Sequence, residues 1–409
     1  MRYPADLHPV PLVLRSTVSS LASAKVRSLL VGCLVVSAAW TTPGVLRAQA
    51  VASPIPNAVK TAPDPESQRS TIVSFIGASV EGLKSTDPAV QSGARETLTS
   101  AVRVDGSASK ASSGYLFLYS GVLDDALTAI LQTKPSMRVR LNVAIVSAKV
   151  AADAQNIQLL DTVESLIKTE SEPAVLVWAL KAAQPILPVT LLNPQMQMPG
   201  SNPLVNAIVP VASKKGAIGP VVEEAYAALT VDWTVRRRQL TPAMFKTLIP
   251  GIQSVLIARV QHYKDAIPDD PILDANYALL FLTDTNSVMP VMTPAQKLST
   301  VQMLQDLASM ASVRATLAGR GEKEQLIQLL QRVSQFMQIV ATQEKADLVT
   351  LNSLRGLSQV QLTTATADIL RLSTEAVTAL RTIPAFNALT PPPQINNPAQ
   401  STATTNKLP

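Results

Sequence analysis

Three short connections constrain this chain more than any other feature. "KSTDPAV" (Lys84–Val90), "QTKPSMR" (Gln132–Arg138) and "TESEPAV" (Thr169–Val175) each place a proline among polar residues just ahead of an apolar run. Proline in the first turn of a helix loses no hydrogen bond, because the N–H it lacks has no intrahelical partner there. The segments between them have apolar residues at spacings of three and four. Ile72, Phe75, Ile76 and Leu83 share a side of Glu66–Leu83, and Val90, Ala94, Leu98 and Ala101 a side of Pro88–Val102. Leu116, Tyr119, Leu123, Leu127 and Ile130 do so in Tyr115–Leu131, and Leu160, Val163 and Ile167 in Ile157–Ile167. Each fits the amphipathic-helix template.

Pro88, Pro135 and Pro173 lie 47 and 38 residues apart. A period near forty residues with two helices per unit is the signature of stacked helical repeats. The openers Asp87-Pro88-Ala89-Val90, Lys134-Pro135-Ser136-Met137-Arg138 and Glu172-Pro173-Ala174-Val175 resemble the start of the second helix in HEAT or armadillo-like repeats, which often reads Asp-Pro-x-Val-Arg. Asp87 matches the family's acid, Glu172 approximates it and Lys134 departs from it. Arg138 matches the family's arginine, whereas Gln91 and Leu176 stand in its place elsewhere. The resemblance covers about residues 66–187 and implies an all-α fold, an α-solenoid of helix pairs. It implies a general scaffold and is silent on function.

"KPSMRVRLNVAIVSAKV" (Lys134–Val150) reads both as an alternating strand and as a helix. The helix is expected, because no second alternating run offers a strand partner. Val139, Val143, Val146 and Val150 then line one face and Leu141, Ile145 and Ala148 an adjoining one, with Arg138 and Arg140 at an exposed or ladder-forming edge. After Pro188 the pattern loosens, and Pro188–Pro203 reads as a long loop with a boundary near residue 190. Helical patterns resume at Leu204–Val211, Val221–Leu229, Pro242–Tyr263, Pro271–Leu282, Pro294–Leu317, Glu322–Ala341 and Val360–Leu380. The expected organisation is therefore HEAT-like repeats over 66–190 and a less regular helical bundle over 191–385. A Pro-rich linker at 51–65 and a disordered Pro-rich tail at 386–409 flank them.

Residues 1–50 read as a signal peptide. Arg2, Arg15, Lys25 and Arg27 precede the apolar run Ser28–Ala39, and Ala48-Gln49-Ala50 offers the small-x-small cleavage pattern. Leu30-Val31-Gly32-Cys33 resembles a lipobox, which makes lipid anchoring through Cys33 the rival reading. Of 35 Lys and Arg and 29 Asp and Glu, residues 1–50 hold five and one, so residues 51–409 carry a net charge of +2. A global basic field for nucleic acid is absent. With Cys33 the only cysteine and His8 the other histidine, residues 51–409 keep His262 alone. Disulfides, thiolate catalysis and Cys/His zinc clusters are thereby excluded there. The expectation includes no cofactor, no metal site and no transmembrane span after residue 50.

Chemistry has few places to sit. Ser107-Ala108-Ser109-Lys110 and Ser165-Leu166-Ile167-Lys168 have Ser-x-x-Lys spacing without the companion motifs of acyl-transfer enzymes. His262 has Asp265, Asp269, Asp270 and Asp274 nearby in sequence, but Asp269-Asp270-Pro271 reads as a helix start. Arg236, Arg237 and Arg238 beside Trp233 form the densest basic cluster and a candidate contact for phosphate or an acidic polymer. Trp178 is expected in the core. The reading is an exported, non-enzymatic scaffold in the cell envelope or outside the cell, with a protein or peptide partner. Its alternatives are a carboxylate-based hydrolase and a lipid-anchored envelope protein.

Overall fold

Proline and short polar residues set the helix starts in the computed structural model, which describes residues 53–62, 64–106, 110–231 and 240–395. The all-α expectation holds: the structure is 73% helix, and the described residues contain fifteen α-helices and no strand. A short turn, α1 (Asn57–Lys60), leads to α2 (Arg69–Leu83), α3 (Pro88–Ser100), α4 (Ser113–Gln132), α5 (Met137–Ala154), α6 (Leu160–Thr169) and α7 (Pro173–Thr190). Next come α8 (Pro203–Ala212), α9 (Gly219–Thr230) and α10 (Pro242–His262). A π-helical segment, Asp274–Leu279, runs into α11 (Leu280–Leu282). The chain closes with α12 (Pro294–Leu317), α13 (Arg320–Gln343), α14 (Leu348–Gly356) and α15 (Thr366–Arg381). Proline is the first residue of α3, α7, α8, α10 and α12. The Asp87 side chain accepts from the Ala89 N–H, and Asn202, Thr241 and Thr293 cap α8, α10 and α12 likewise. Lys134–Val150 lies in α5 apart from its first three residues, so the helical period is the real one.

The helices pack in two rows. In one, α2, α4, α6, α8, α10 and α12 each contact the next; in the other, α3, α5, α7, α9, the π segment and α13 do so. At the end α14 and α15 pack on α13 and α12. The core is aliphatic, as 4% aromatics require. Ala179, Ala182 and Ala183 of α7 and Ala225 and Ala228 of α9 are fully buried and let these helices approach closely. Pro185 and Pro188 lie inside α7, where each costs about 3 kcal/mol of helix propensity. The buried neighbours Ile186, Leu187 and Leu191 keep that segment against the core.

Long-range side-chain hydrogen bonds link the helices, several of them between residues about fifty apart. Arg95 Nη1 donates to Asn142 Oδ1, 47 residues on, and Arg103 pairs with Asp153, 50 residues on. Lys215 pairs with Asp265 across 50 residues, Gln253 Nε2 reaches Thr300 Oγ1 across 47, and Arg314 Nε reaches the Tyr263 carbonyl across 51. Asn142 Nδ2 also donates to Gln91 Oε1 at 3.3 Å, so a buried amide joins α3 to α5. Arg140, at the edge of α5, forms an ion pair with Glu170 at 2.7 Å.

Several expectations change. The expected linker at 51–65 is packed: Ile55 is 2% exposed, Val59 is buried, and buried Lys60 pairs with Asp105 at 3.0 Å. Of the tail expected to be disordered over 386–409, Phe386 and Leu389 are buried, and residues 396–409 lie outside the described residues. The boundary expected near 190 falls between α7 and α8, yet α6 packs on α8 and α7 on α9 across it. The helix expected over Val360–Leu380 begins only at Thr366, and α14 precedes it where the sequence pattern shows no helix. Trp178 is half-buried, with Lys181 Nζ 5.1 Å from its ring centroid. By length and composition α4, α7 and α10 are apolar enough to cross a membrane, contrary to the expectation of no span after residue 50. Here half or more of each lies buried against neighbouring helices.

Candidate functional site

The end of α10, the turn that follows it and the π segment enclose a buried charged cluster. Arg259 of α10 and Asp274 of the π segment make a buried ion pair, Nε to Oδ1 at 2.6 Å, with side chains 2% and 0% exposed. The Tyr226 hydroxyl of α9 donates to the same Oδ1 at 2.8 Å, and Arg259 Nη2 donates to the Asp269 carbonyl at 3.1 Å. Tyr226 also stacks on Tyr277, 6.1 Å between centroids and 10° between planes. Asp274 Oδ2 and the Tyr263 hydroxyl are buried without a protein hydrogen-bond partner. Burial raises the Tyr226 and Tyr263 phenols well above their ordinary range, and Asp274 raises them further. Burial pulls the Arg259 guanidinium down, but Asp274 and the phenols more than reverse this, so it lies above its ordinary value.

The acids flagged in sequence are thus divided among different tasks. Asp274 neutralises Arg259. Asp269 Oδ2 accepts from the Gly219 N–H at 2.6 Å and so caps α9 rather than its own helix. The approach is close: a Cβ at Gly219 would sit 3.1 Å from the Asp270 Cβ, so a side chain there would push on that turn. Asp270 turns the chain with φ +47°, and Asp265 pairs with Lys215 at the surface. His262 is depressed by burial and by Arg259 and Lys215, which keeps its imidazole neutral at pH 7. Among the described residues, no three of His, Cys, Asp and Glu converge as a metal set. Ser165 and Lys168 lie on α6, where Lys168 pairs with Glu164. Trp233, Arg236, Arg237 and Arg238, the candidate ligand contacts, lie outside the described residues, as does Ser107.

Asp274 faces inward, and the other side of the same segment faces a groove. Ile272 and Asn276 form one wall of a hollow of about 420 Å³, with Gln328, Gln331 and Arg332 of α13 opposite. Leu280, Thr283 and Asp284 wall an adjoining hollow of about 740 Å³, with Gln338, Ile339 and Thr342 opposite. Gln335 lines both. Each glutamine offers two donors and an acceptor, the complement of a peptide backbone. Gln331 already donates to the Val360 carbonyl at 2.8 Å, and Arg332 to Gln335 Oε1 at 3.2 Å. The two hollows run along α13 and set its glutamine amides beside apolar Ile272, Leu280, Phe336 and Ile339.

This groove was missed in sequence. Gln328, Gln331, Gln335 and Gln338 follow three- and four-residue spacing on α13, a polar stripe beside the apolar seam of Leu326, Leu330, Val333, Met337 and Val340. The stripe was legible; its opposing wall, a π-helical segment, has no local sequence signature. Searches against protein-family models, curated proteins and solved structures find no match to this chain.

Proposed function

We propose that the chain is an exported, non-enzymatic scaffold of stacked helix pairs, similar in build to HEAT or armadillo-like repeats, that binds a protein or peptide partner. The observation that carries this reading is the succession of helix contacts, α2 to α12 through every second helix and α3 to α13 through the others. Contacts between adjacent helix pairs along the chain are how repeat arrays are built. Such arrays present long grooves, and the amide-lined groove of α13 gives a partner's backbone a place to pair. The export reading rests on the sequence pattern of residues 1–50, and cleavage after Ala50 would leave Ile55 and Val59 in the chain.

A photo-crosslinking residue at Gln335, with Val73 on α2 as the exposed control, tests the binding role in cells that produce the protein. Defined protein adducts from position 335, absent from position 73, are expected. Identical patterns from both positions would refute the groove as a partner site. Mass spectrometry of the purified protein is expected to give Val51 as its first residue; retention of Met1 would refute export by cleavage.

A further inference from the structure

The start of the proline-rich tail does not trail from the fold. Phe386 and Leu389 are buried, and Arg381 Nη2 donates to the Leu389 carbonyl at 3.2 Å, which anchors the chain up to residue 389. Beyond that anchor, "TPPPQ" (Thr390–Gln394) crosses a cleft between α10 and α12. Three consecutive prolines fix φ and hold each preceding residue extended, so the sequence dictates a polyproline-II strap. Thr390 supplies the one N–H that residues 390–393 possess. Gln302 takes it: the Thr390 N–H donates to Gln302 Oε1 at 2.9 Å, and Gln302 Nε2 donates back to the Thr390 carbonyl at 3.2 Å. Gln305 Nε2 donates to the same carbonyl at 2.6 Å. Asp306 Oδ1 accepts from Gln302 Nε2 at 2.8 Å and fixes which way that amide points. One amide that reads both backbone groups of a residue, held in register by a carboxylate, is a peptide-recognition arrangement.

The strap does not fill what it covers. A hollow of about 330 Å³ remains between Pro391 and Pro393 and the helices, floored by Ile257, Val260 and Met303. Pro391 stays exposed and Ile257 is 42% exposed. The backbone of residue 390 is therefore gripped while the prolines are loosely seated, which leaves room for a better-fitting segment.

We propose that the α10/α12 cleft is a binding site for an extended Xaa-Pro-Pro-Pro peptide of another protein, held closed in cis by residues 390–393. A stiff polyproline strand loses little entropy on docking, and a Met-containing apolar floor adapts to different side chains. The cis strap lowers the apparent affinity for the incoming segment by the fraction of time the cleft is open. This cleft and the α13 groove share no lining residue, so either can fail without the other.

The test uses a fluorescein-labelled LTPPPQI peptide, the sequence of residues 389–395, and the full chain in three forms. These are the native chain, a strap-replaced chain (Thr390→Gly, Pro391→Ser, Pro392→Gly, Pro393→Ser), and the strap-replaced chain with Gln302→Ala. Circular dichroism and thermal melting establish that all three fold. By fluorescence anisotropy the strap-replaced chain is expected to bind about ten-fold more tightly than the native chain, the ratio for a cleft open about a tenth of the time. Gln302→Ala is expected to abolish binding. No binding to the folded strap-replaced chain, or binding indifferent to Gln302→Ala, overturns the proposal. Concentration-dependent dimers of the native chain that vanish on strap replacement would assign the cleft to a second copy's tail and overturn the cis arrangement.

Discussion

Removing Asp274 is the most informative single perturbation of this fold. Asp274→Ala leaves Arg259, 2% exposed, without its counter-charge. Breaking a buried pair in this way costs about 3–5 kcal/mol. Tyr226 also loses the acceptor it holds at 2.8 Å, an unmet buried donor worth about 1–3 kcal/mol. The converse change is milder. Arg259→Met leaves a carboxyl that still accepts from Tyr226, whereas Asp274→Ala strands both the guanidinium and the phenol. With both changed, as Arg259→Met with Asp274→Leu, no charge is buried, and stability should return to within about 2 kcal/mol of the parent. Urea unfolding followed by far-UV circular dichroism measures all four corners of the cycle. Hydrogen exchange over residues 254–282 reports whether the π segment opens first. A coupling energy below about 0.5 kcal/mol would mean the two side chains act independently, and would refute the claim that the pair holds α9, α10 and the π segment together.

Three further perturbations probe the rest of the fold. Burial raises Asp124 from 3.8 to about 6 against the opposing hydrogen bonds from Thr162. A raised carboxyl favours the folded state below its unfolded value and loses that contribution as pH rises through about 6. Asp124→Asn should then gain about 1–2 kcal/mol on the parent at pH 7.5 and nothing at pH 4; thermal melts giving the same difference at both pH values would refute this. Gly82→Ala puts a Cβ 2.7 Å from the Ala94 Cβ at the α2/α3 contact and should cost about 1–3 kcal/mol in urea unfolding. Adding Ala94→Gly should recover part of that loss, and no recovery would place the strain elsewhere. Asn142→Leu removes the amide that joins Gln91 and Arg95, and should cost about 1–3 kcal/mol by leaving the buried Gln91 Oε1 unpaired; a melting temperature equal to the parent's would show that this link carries no load.

What was legible in the sequence was whatever one helix can encode alone. The three- and four-residue apolar spacing and the proline starts placed α12 to the residue and α2, α3 and α4 to within about three, because helix periodicity and first-turn chemistry are local. Lys134–Val150 was ambiguous only because valine suits both periods, and the missing strand partner decided it. What failed depended on a partner elsewhere in the chain. Ile55 and Val59 sit among prolines with no period, and their burial depends on helices placed dozens of residues later. Thr390 reads as tail until Gln302, 88 residues earlier, is seen to hold both its backbone groups. Asp274 has the same history. It is one of four acids that follow His262 in sequence, and only the fold shows that its partners are Arg259 and Tyr226. Charge in an aliphatic core has to be matched in space rather than along the chain. The Arg259–Asp274 pair therefore fixes one side of the π segment and leaves the other, Ile272, Asn276 and Leu280, to face α13 as a groove wall. Loosening the pair should loosen that wall, so the stability cycle at Arg259 and Asp274 and crosslinking at Gln335 ought to respond together.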